Sequence, residues 1–191
     1  MKPSHPGPSP LTVAEAARRL REGEVLAYPT ESVFGLGCNP ADEQALTKLL
    51  SLKRREPGKG LILIAFEYAQ IEPYLAPLSQ ARTDTMLASW PGPVTWLAPA
   101  RAGISRLLRG EHDSIAVRVT AHPIASALCR EAQMAIVSTS ANRSGQPPAK
   151  TADAVRAAFG DSVSCIVEGS VGGAVSPTEI RDLISGQLVR A

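Results

Sequence analysis

The sequence predicts an α/β fold: a twisted, open sheet of mixed strand direction with helices flanking it. Three observations lead there. Helical and strand signals alternate along the chain. Several neighbouring strand candidates are joined by links too short for a crossover helix, so they cannot all run parallel. And 191 residues, 44% of them apolar, suit one domain with a sizeable core.

The elements follow in order. The first ten residues, "MKPSHPGPSP", hold four prolines and one glycine and read as a disordered tail before a single domain over 11–191. Thr12 and Glu15 make a capping-box pattern that starts a helix, which Gly23 stops. "EVLAY" is a strand candidate ending at Pro29. Asp42 caps a second helix, with Ala45, Leu46, Leu49, Leu50 and Leu52 at spacings of three and four; it ends near Leu52. Leu61 to Ile64 read as a buried strand, and Ser79 caps a helix to about Ser89. "WPGP" is a rigid turn leading into the strand "VTWLA". "SIAVRV" alternates, with Ile115, Val117 and Val119 on one face and Ala116 and Arg118 on the other. Pro123 opens a helix reaching about Ala132, and "AIVST" is a short strand. Thr151 or Asp153 starts a helix that Gly160 ends, and "SCIVE" and "TEIRDLISGQLVR" supply edge strands.

Composition narrows the function. A net charge of +2 and a pI near 8.5 permit nucleic-acid contact without arguing for it. Aromatics at 4% speak against broad base-stacking platforms. The longest wholly apolar run is about six residues, too short to span a membrane. Cys38, Cys129 and Cys165 are odd in number and far apart, which suggests reduced thiols in the cytoplasm. His5, His112 and His122 show no metal-ligand spacing, so no structural metal is expected.

Against this near-neutral background, "LKRREPGKGLILI" packs Lys53, Arg54, Arg55 and Lys59 around a single Glu56. Two readings fit. Cations complement the dipole at a helix C-terminus, but one or two suffice for that. Alternatively, if the helix ends near Leu52, Lys53 and Arg55 lie two apart on an extended segment, face the same way and form a phosphate clamp. "STSANRSGQPP" repeats the spacing with neutral groups: Ser140 and Asn142 again sit two apart, beyond the end of a strand, where α/β sheets bind ligands. A polar surface loop fits that stretch equally well. In "AYPTESVFGLG", Gly35 and Gly37 mark either a tight turn or a close backbone approach, with Thr30, Glu31 and Ser32 offering polar groups beside them. Arg118, inside an alternating strand, is either solvated or a receptor for a carboxylate. No Walker A, nucleophile elbow or Cys–His pair is present.

Taken together, "YPTESVFGLG", "LKRREPGKGLILI", "WPGPVT", "SIAVRVTAHP" and "STSANRSG" resemble, in order and spacing, the YrdC family of threonylcarbamoyl-AMP synthases, in its short bacterial form. The likeness runs from about Leu11 to Arg190. It implies a YrdC/RibB-like sheet with a concave, basic cavity. It implies a nucleotidyltransferase that joins L-threonine, bicarbonate or CO2 and ATP, with Mg2+, into L-threonylcarbamoyladenylate for threonylcarbamoyladenosine modification of tRNA by further proteins. By position, Lys53 and Arg55 become the catalytic phosphate contacts, with Ser114, Ser140, Asn142 and Arg190 also at the nucleotide. Thr30, Arg118, Ser138 and Thr178 fall where the family holds threonine, with Arg118 on its carboxylate. The usual Ser-Thr-Val near the end is here Thr178-Glu179-Ile180. The rival expectation is a module binding tRNA or double-stranded RNA through Lys53, Arg101, Arg106 and Arg109.

Overall fold

The computed structural model describes residues 11–163, 165–174 and 178–190. The expected tail over residues 1–10 and Ser164 of "SCIVE" lie outside them. Among the described residues the strands are β1 Leu26–Pro29, β2 Phe34–Gly37, β3 Ile62–Ala65, β4 Val94–Pro99, β5 Ser114–Val119, β6 Ile136–Ser140, β7 Cys165–Ile166, β8 Glu179–Asp182 and β9 Leu188–Arg190. They form one sheet in the order β7-β1-β2-β6-β3-β5-β4-β8-β9. The pairs β1–β7, β3–β5 and β4–β8 are parallel and the others antiparallel, as the short links required.

The helices are α1 Val13–Arg21, α2 Glu43–Lys53, α3 Tyr68–Ile71, α4 Gln80–Leu87, α5 Arg106–Arg109, α6 Pro123–Ala132 and α7 Ala152–Phe159. Local chemistry starts α1 and α2 as expected, whereas Ser79 precedes α4 without a side-chain capping bond. Thr12 and Glu15 close a reciprocal capping box on α1, and Asp42 accepts from the Gln44 and Ala45 amides at the head of α2. Among the strands and α-helices three were not anticipated: β2 and the one-turn helices α3 and α5. The C-terminal stretch also differs, since β8 pairs inside the sheet against β4 and only β9 forms an edge.

Strand alternation sorts the core into two layers. Ala27, Leu63 and Val137 join the cluster that holds α2, while Leu26, Ile64 and Ile136 pack under α1 and α6. Arg118 sits beside Ile64 on this second face, because β3 and β5 are parallel with Ile64 opposite Arg118. Helices α1 and α6 cover that face at one end only. Where they stop, Ile62, Ala116 and Leu97, aligned across three neighbouring strands, line an open cavity. The sheet supplies the floor of the site.

The glycines of β2 mark close approach and not a turn. A Cβ on Gly37 would fall 2.4 Å from Val137 O and 2.8 Å from the Tyr28 ring. One on Gly35 would press on Thr30 and on Ser138 Oγ, at 3.2 and 3.4 Å. Strand β2 could therefore be read as a strand only by allowing glycine where the backbone of one strand meets the side chains of the next.

Candidate functional site

The cavity has a volume of about 460 Å3. Five cationic residues line it (Arg55, Lys59, Arg109, Arg118 and Arg190) against one carboxylate, Glu31. Of the ten residues singled out in the sequence, eight line the wall: Thr30, Arg55, Ser114, Arg118, Ser138, Ser140, Thr178 and Arg190. Lys53 and Asn142 do not; they stand behind it.

The reason lies in where α2 ends. The helix runs through Lys53, and Arg54 turns into the left-handed region at φ 51°, closing the helix with its amide on Leu50 O and Ser51 O. The extended segment that would have set Lys53 and Arg55 side by side is therefore not formed. Lys53, only 2% exposed, sends its ammonium into the following loop. It donates to Asn142 O at 2.9 Å, to Asn142 Oδ1 at 3.2 Å and to Ser140 O. Its own carbonyl accepts from Ser144 N at 2.8 Å, so both ends of the residue hold the same loop. Asn142 is equally committed, accepting from Ser140 Oγ at 2.6 Å and donating to Gln146 O at 2.6 Å. Burial, with the charge of Arg55 nearby, pulls the Lys53 pKa down to about 8, while the oxygen cage works in the opposite direction by favouring the ammonium.

Arg55 points the other way. Its Nη2 donates to Gly60 O at 2.9 Å, and its Nε–H is buried without a partner. Burial and the nearby charge of Arg190 both press its pKa down. Arg190 in turn donates to Thr178 O at 3.2 Å, so β9 carries a cation to the rim. Two arginines repelling each other across an open space, one with an unsatisfied donor, make a site in want of an anion.

At the other end Arg118 is 5% exposed. Its Nη1 donates to Thr178 Oγ1 at 2.7 Å and to Thr95 Oγ1 at 3.2 Å, its Nη2 meets Glu31 Oε2 at 3.2 Å, and its Nε–H has no partner. Burial pushes the Glu31 carboxyl up, but the Arg118 charge and a 2.6 Å hydrogen bond from Thr120 Oγ1 outweigh it, and its pKa ends below the usual value. Thr30 and Ser138 come together around Gly35. Thr30 Oγ1 donates to Val33 O at 2.7 Å, closing the turn that carries Glu31.

Sequence reasoning named Glu31 as a polar group without a task, and passed over Thr95 and Thr120 altogether. The signal for Thr95 lies in strand period: with Trp96 opposite Val117 in an antiparallel pair, Thr95 falls beside Arg118. Among the described residues no group of three His, Cys, Asp or Glu side chains is placed to hold a metal ion, and no helix is long and apolar enough to cross a membrane.

Comparison with known proteins fits this geometry. The family profile described as Sua5/YciO/YrdC, telomere recombination, matches residues 18–191. The threonylcarbamoyl-AMP synthase of Nitrosococcus oceani is 51% identical over 175 residues, 92% of this chain and 95% of that protein. The threonylcarbamoyl-AMP synthase of Idiomarina loihiensis is 53% identical over 178 residues, 92% and 96% of the two chains. Among solved structures, Sua5 of P. abyssi complexed with L-threonine superposes with a TM-score of 0.85 at 31% identity, over 92% of this chain; the chain spans about half of that protein, 52% of its length. With the expected motifs, the expected sheet and these relatives in agreement, the chain belongs to the Sua5/YciO/YrdC family.

Proposed function

We propose that the protein is a threonylcarbamoyl-AMP synthase, which joins L-threonine, bicarbonate or CO2 and ATP into L-threonylcarbamoyladenylate and releases pyrophosphate. The observation that carries the reading is the two-ended cavity: cations with an unsatisfied donor at Arg55 and Arg190, and a hydroxyl-lined guanidinium at Arg118. The shared name of the relatives supports the reaction, and the L-threonine complex of P. abyssi Sua5 supports the amino acid.

The residues divide the work. The amine of threonine, as its free base, adds to CO2 and gives up a proton to form a carbamate, whose oxygen forms a bond to the α-phosphorus of ATP as the bond to pyrophosphate breaks. Such a transfer needs no protein nucleophile and depends on positioning and charge stabilisation. Arg55 and Arg190, with Lys59 and Arg109 on the same wall, offset the triphosphate charge. Ser114 and Ser140 meet the nucleotide, and Arg118, Thr30, Ser138 and Thr178 hold threonine. Lys53 and Asn142 serve the nucleotide end through the loop they fix, which presents Ser140. Mg2+ arrives as substrate with the triphosphate. Among the described residues the carboxylate lining the cavity, Glu31, is already held by Arg118 and Thr120.

Residues 11–191 act as a single domain in the cytoplasm, and the adenylate passes to further proteins that modify tRNA. An RNA-binding module is not favoured, because the relatives are named for the synthase. The test is pyrophosphate release from ATP with Mg2+, omitting threonine and bicarbonate in turn. Release that needs both is the expected result. ATP left intact, or consumed equally without threonine, would overturn the assignment.

A further inference from the structure

Glu31 has no task in that scheme, yet it is the carboxylate among the residues lining the cavity. Its backbone is pinned: Glu31 O accepts from Ala174 N at 3.1 Å, and Thr30 O from Gly172 N at 2.9 Å. A Cβ on Gly172 would fall 2.7 Å from Glu31 O, so this packing leaves room only for glycine. The side chain, 14% exposed, divides its oxygens between two partners, Oε1 on Thr120 and Oε2 on Arg118.

The guanidinium offers two edges. Nη1 is committed to Thr178 and Thr95. Nε and Nη2 form the other edge, and Glu31 uses only the Nη2 half, leaving Nε–H buried and unpartnered. A carboxylate that accepts from both donors fits this edge better than Glu31 does. An α-amino acid brings such a carboxylate, and with it an ammonium one carbon away. Once the incoming carboxylate takes the edge, Glu31, still held by Thr120, is left without its cation. A buried carboxylate in that state is strongly disfavoured. The ammonium beside it restores the balance, turning one ion pair into two.

Resting on the synthase reading, we propose that Glu31 is the receptor for the α-amino group of threonine, keeping Arg118 occupied until the substrate carboxylate replaces it. The buried pair then reads the zwitterion, and the nitrogen that must be carboxylated is held against Glu31.

The test measures binding of L-threonine and of (R)-3-hydroxybutanoate, the same acid without its amine, to the full chain by calorimetry. Wild type and Glu31→Gln are compared, with ATP binding as the check on folding. Wild type is expected to favour threonine tenfold or more. In Glu31→Gln, threonine weakens tenfold or more while the amine-free acid tightens, because Arg118 has lost its resident carboxylate. If both acids weaken equally, Glu31 merely props Arg118; if both tighten, it merely competes; either result overturns the proposal. Should Glu31→Gln lose ATP binding, wild type alone decides: threonine favoured tenfold supports the assignment, and equal affinity for the two acids overturns it. A wild type that binds ATP but neither acid overturns the synthase reading itself.

Discussion

Lys53 and Arg118 are both buried cations beside one cavity, and they are satisfied in opposite ways. Lys53 is caged by neutral oxygens from a single loop and never reaches the cavity wall. Arg118 lines the wall, holds a charged partner in Glu31 and keeps one donor unused. The partners separate a cation that builds a site from one left open to a ligand. Carbonyl partners contributed by the fold stay in place, so the Lys53 ammonium is committed to the loop in this structure. A carboxylate partner can be exchanged for another carboxylate, so the Arg118 charge stays available to a ligand.

The comparison breaks most visibly at Lys53. Lys53→Met removes three hydrogen bonds to half-buried oxygens and should cost about 1–3 kcal/mol of stability, read from urea midpoints. Turnover should fall 10- to 100-fold, roughly the transition-state share of a charge-assisted contact, because Ser140 loses its support. The salt dependence of ATP binding should stay that of wild type, since the Lys53 ammonium turns into the loop and does not line the cavity. A flattened salt dependence would instead put Lys53 on the nucleotide.

A smaller effect sharpens the same point. With its pKa at about 8 in the fold against 10.5 for the free side chain, Lys53 binds a proton more readily in the unfolded chain. Its burial penalty is therefore fully present below about pH 8 and is relieved as pH rises toward 10.5. The stability difference between wild type and Lys53→Met should move in favour of wild type over that range, by at most about 1.4 kcal/mol per pH unit. No movement would mean that the oxygen cage holds the ammonium at its ordinary pKa. The smallest effect falls at Thr178, where Thr178→Val removes the hydrogen bond from Arg118 and a longer one shared with Thr95. A loss of about 0.5–1.5 kcal/mol is expected, seen as a rise of several-fold in KM for threonine with KM for ATP unchanged. A change confined to ATP would move Thr178 to the other end of the cavity.

Much of this was legible in the residues, and the gaps have physical causes. Caps, breakers and strand alternation announced α1, α2, β5 and the face that carries Arg118, because these signals are local. Strand β2 was obscured because its glycines serve contacts with Tyr28, Thr30 and β6 that no local pattern encodes. The paired spacings at 53/55 and 140/142 pointed to loops beside the cavity, but the extended geometry expected of the first pair is not formed. One left-handed residue, Arg54, turns Lys53 and Arg55 apart, and a helix that runs one residue further than its apolar spacing suggests leaves no mark in sequence. Ser140 and Asn142 do meet, through a hydrogen bond between their side chains. Glu31 stayed without a role because its partner lies 87 positions away on another strand.

The most direct test of the two-ended cavity is a crossed binding experiment, with ATP and L-threonine each titrated into wild type, Arg55→Ala and Arg118→Ala. Arg55→Ala should lose ATP affinity at least tenfold and keep threonine, and Arg118→Ala should lose threonine at least tenfold and keep ATP. Equal losses of both ligands in either variant would contradict the separation of the two ends on which the account rests.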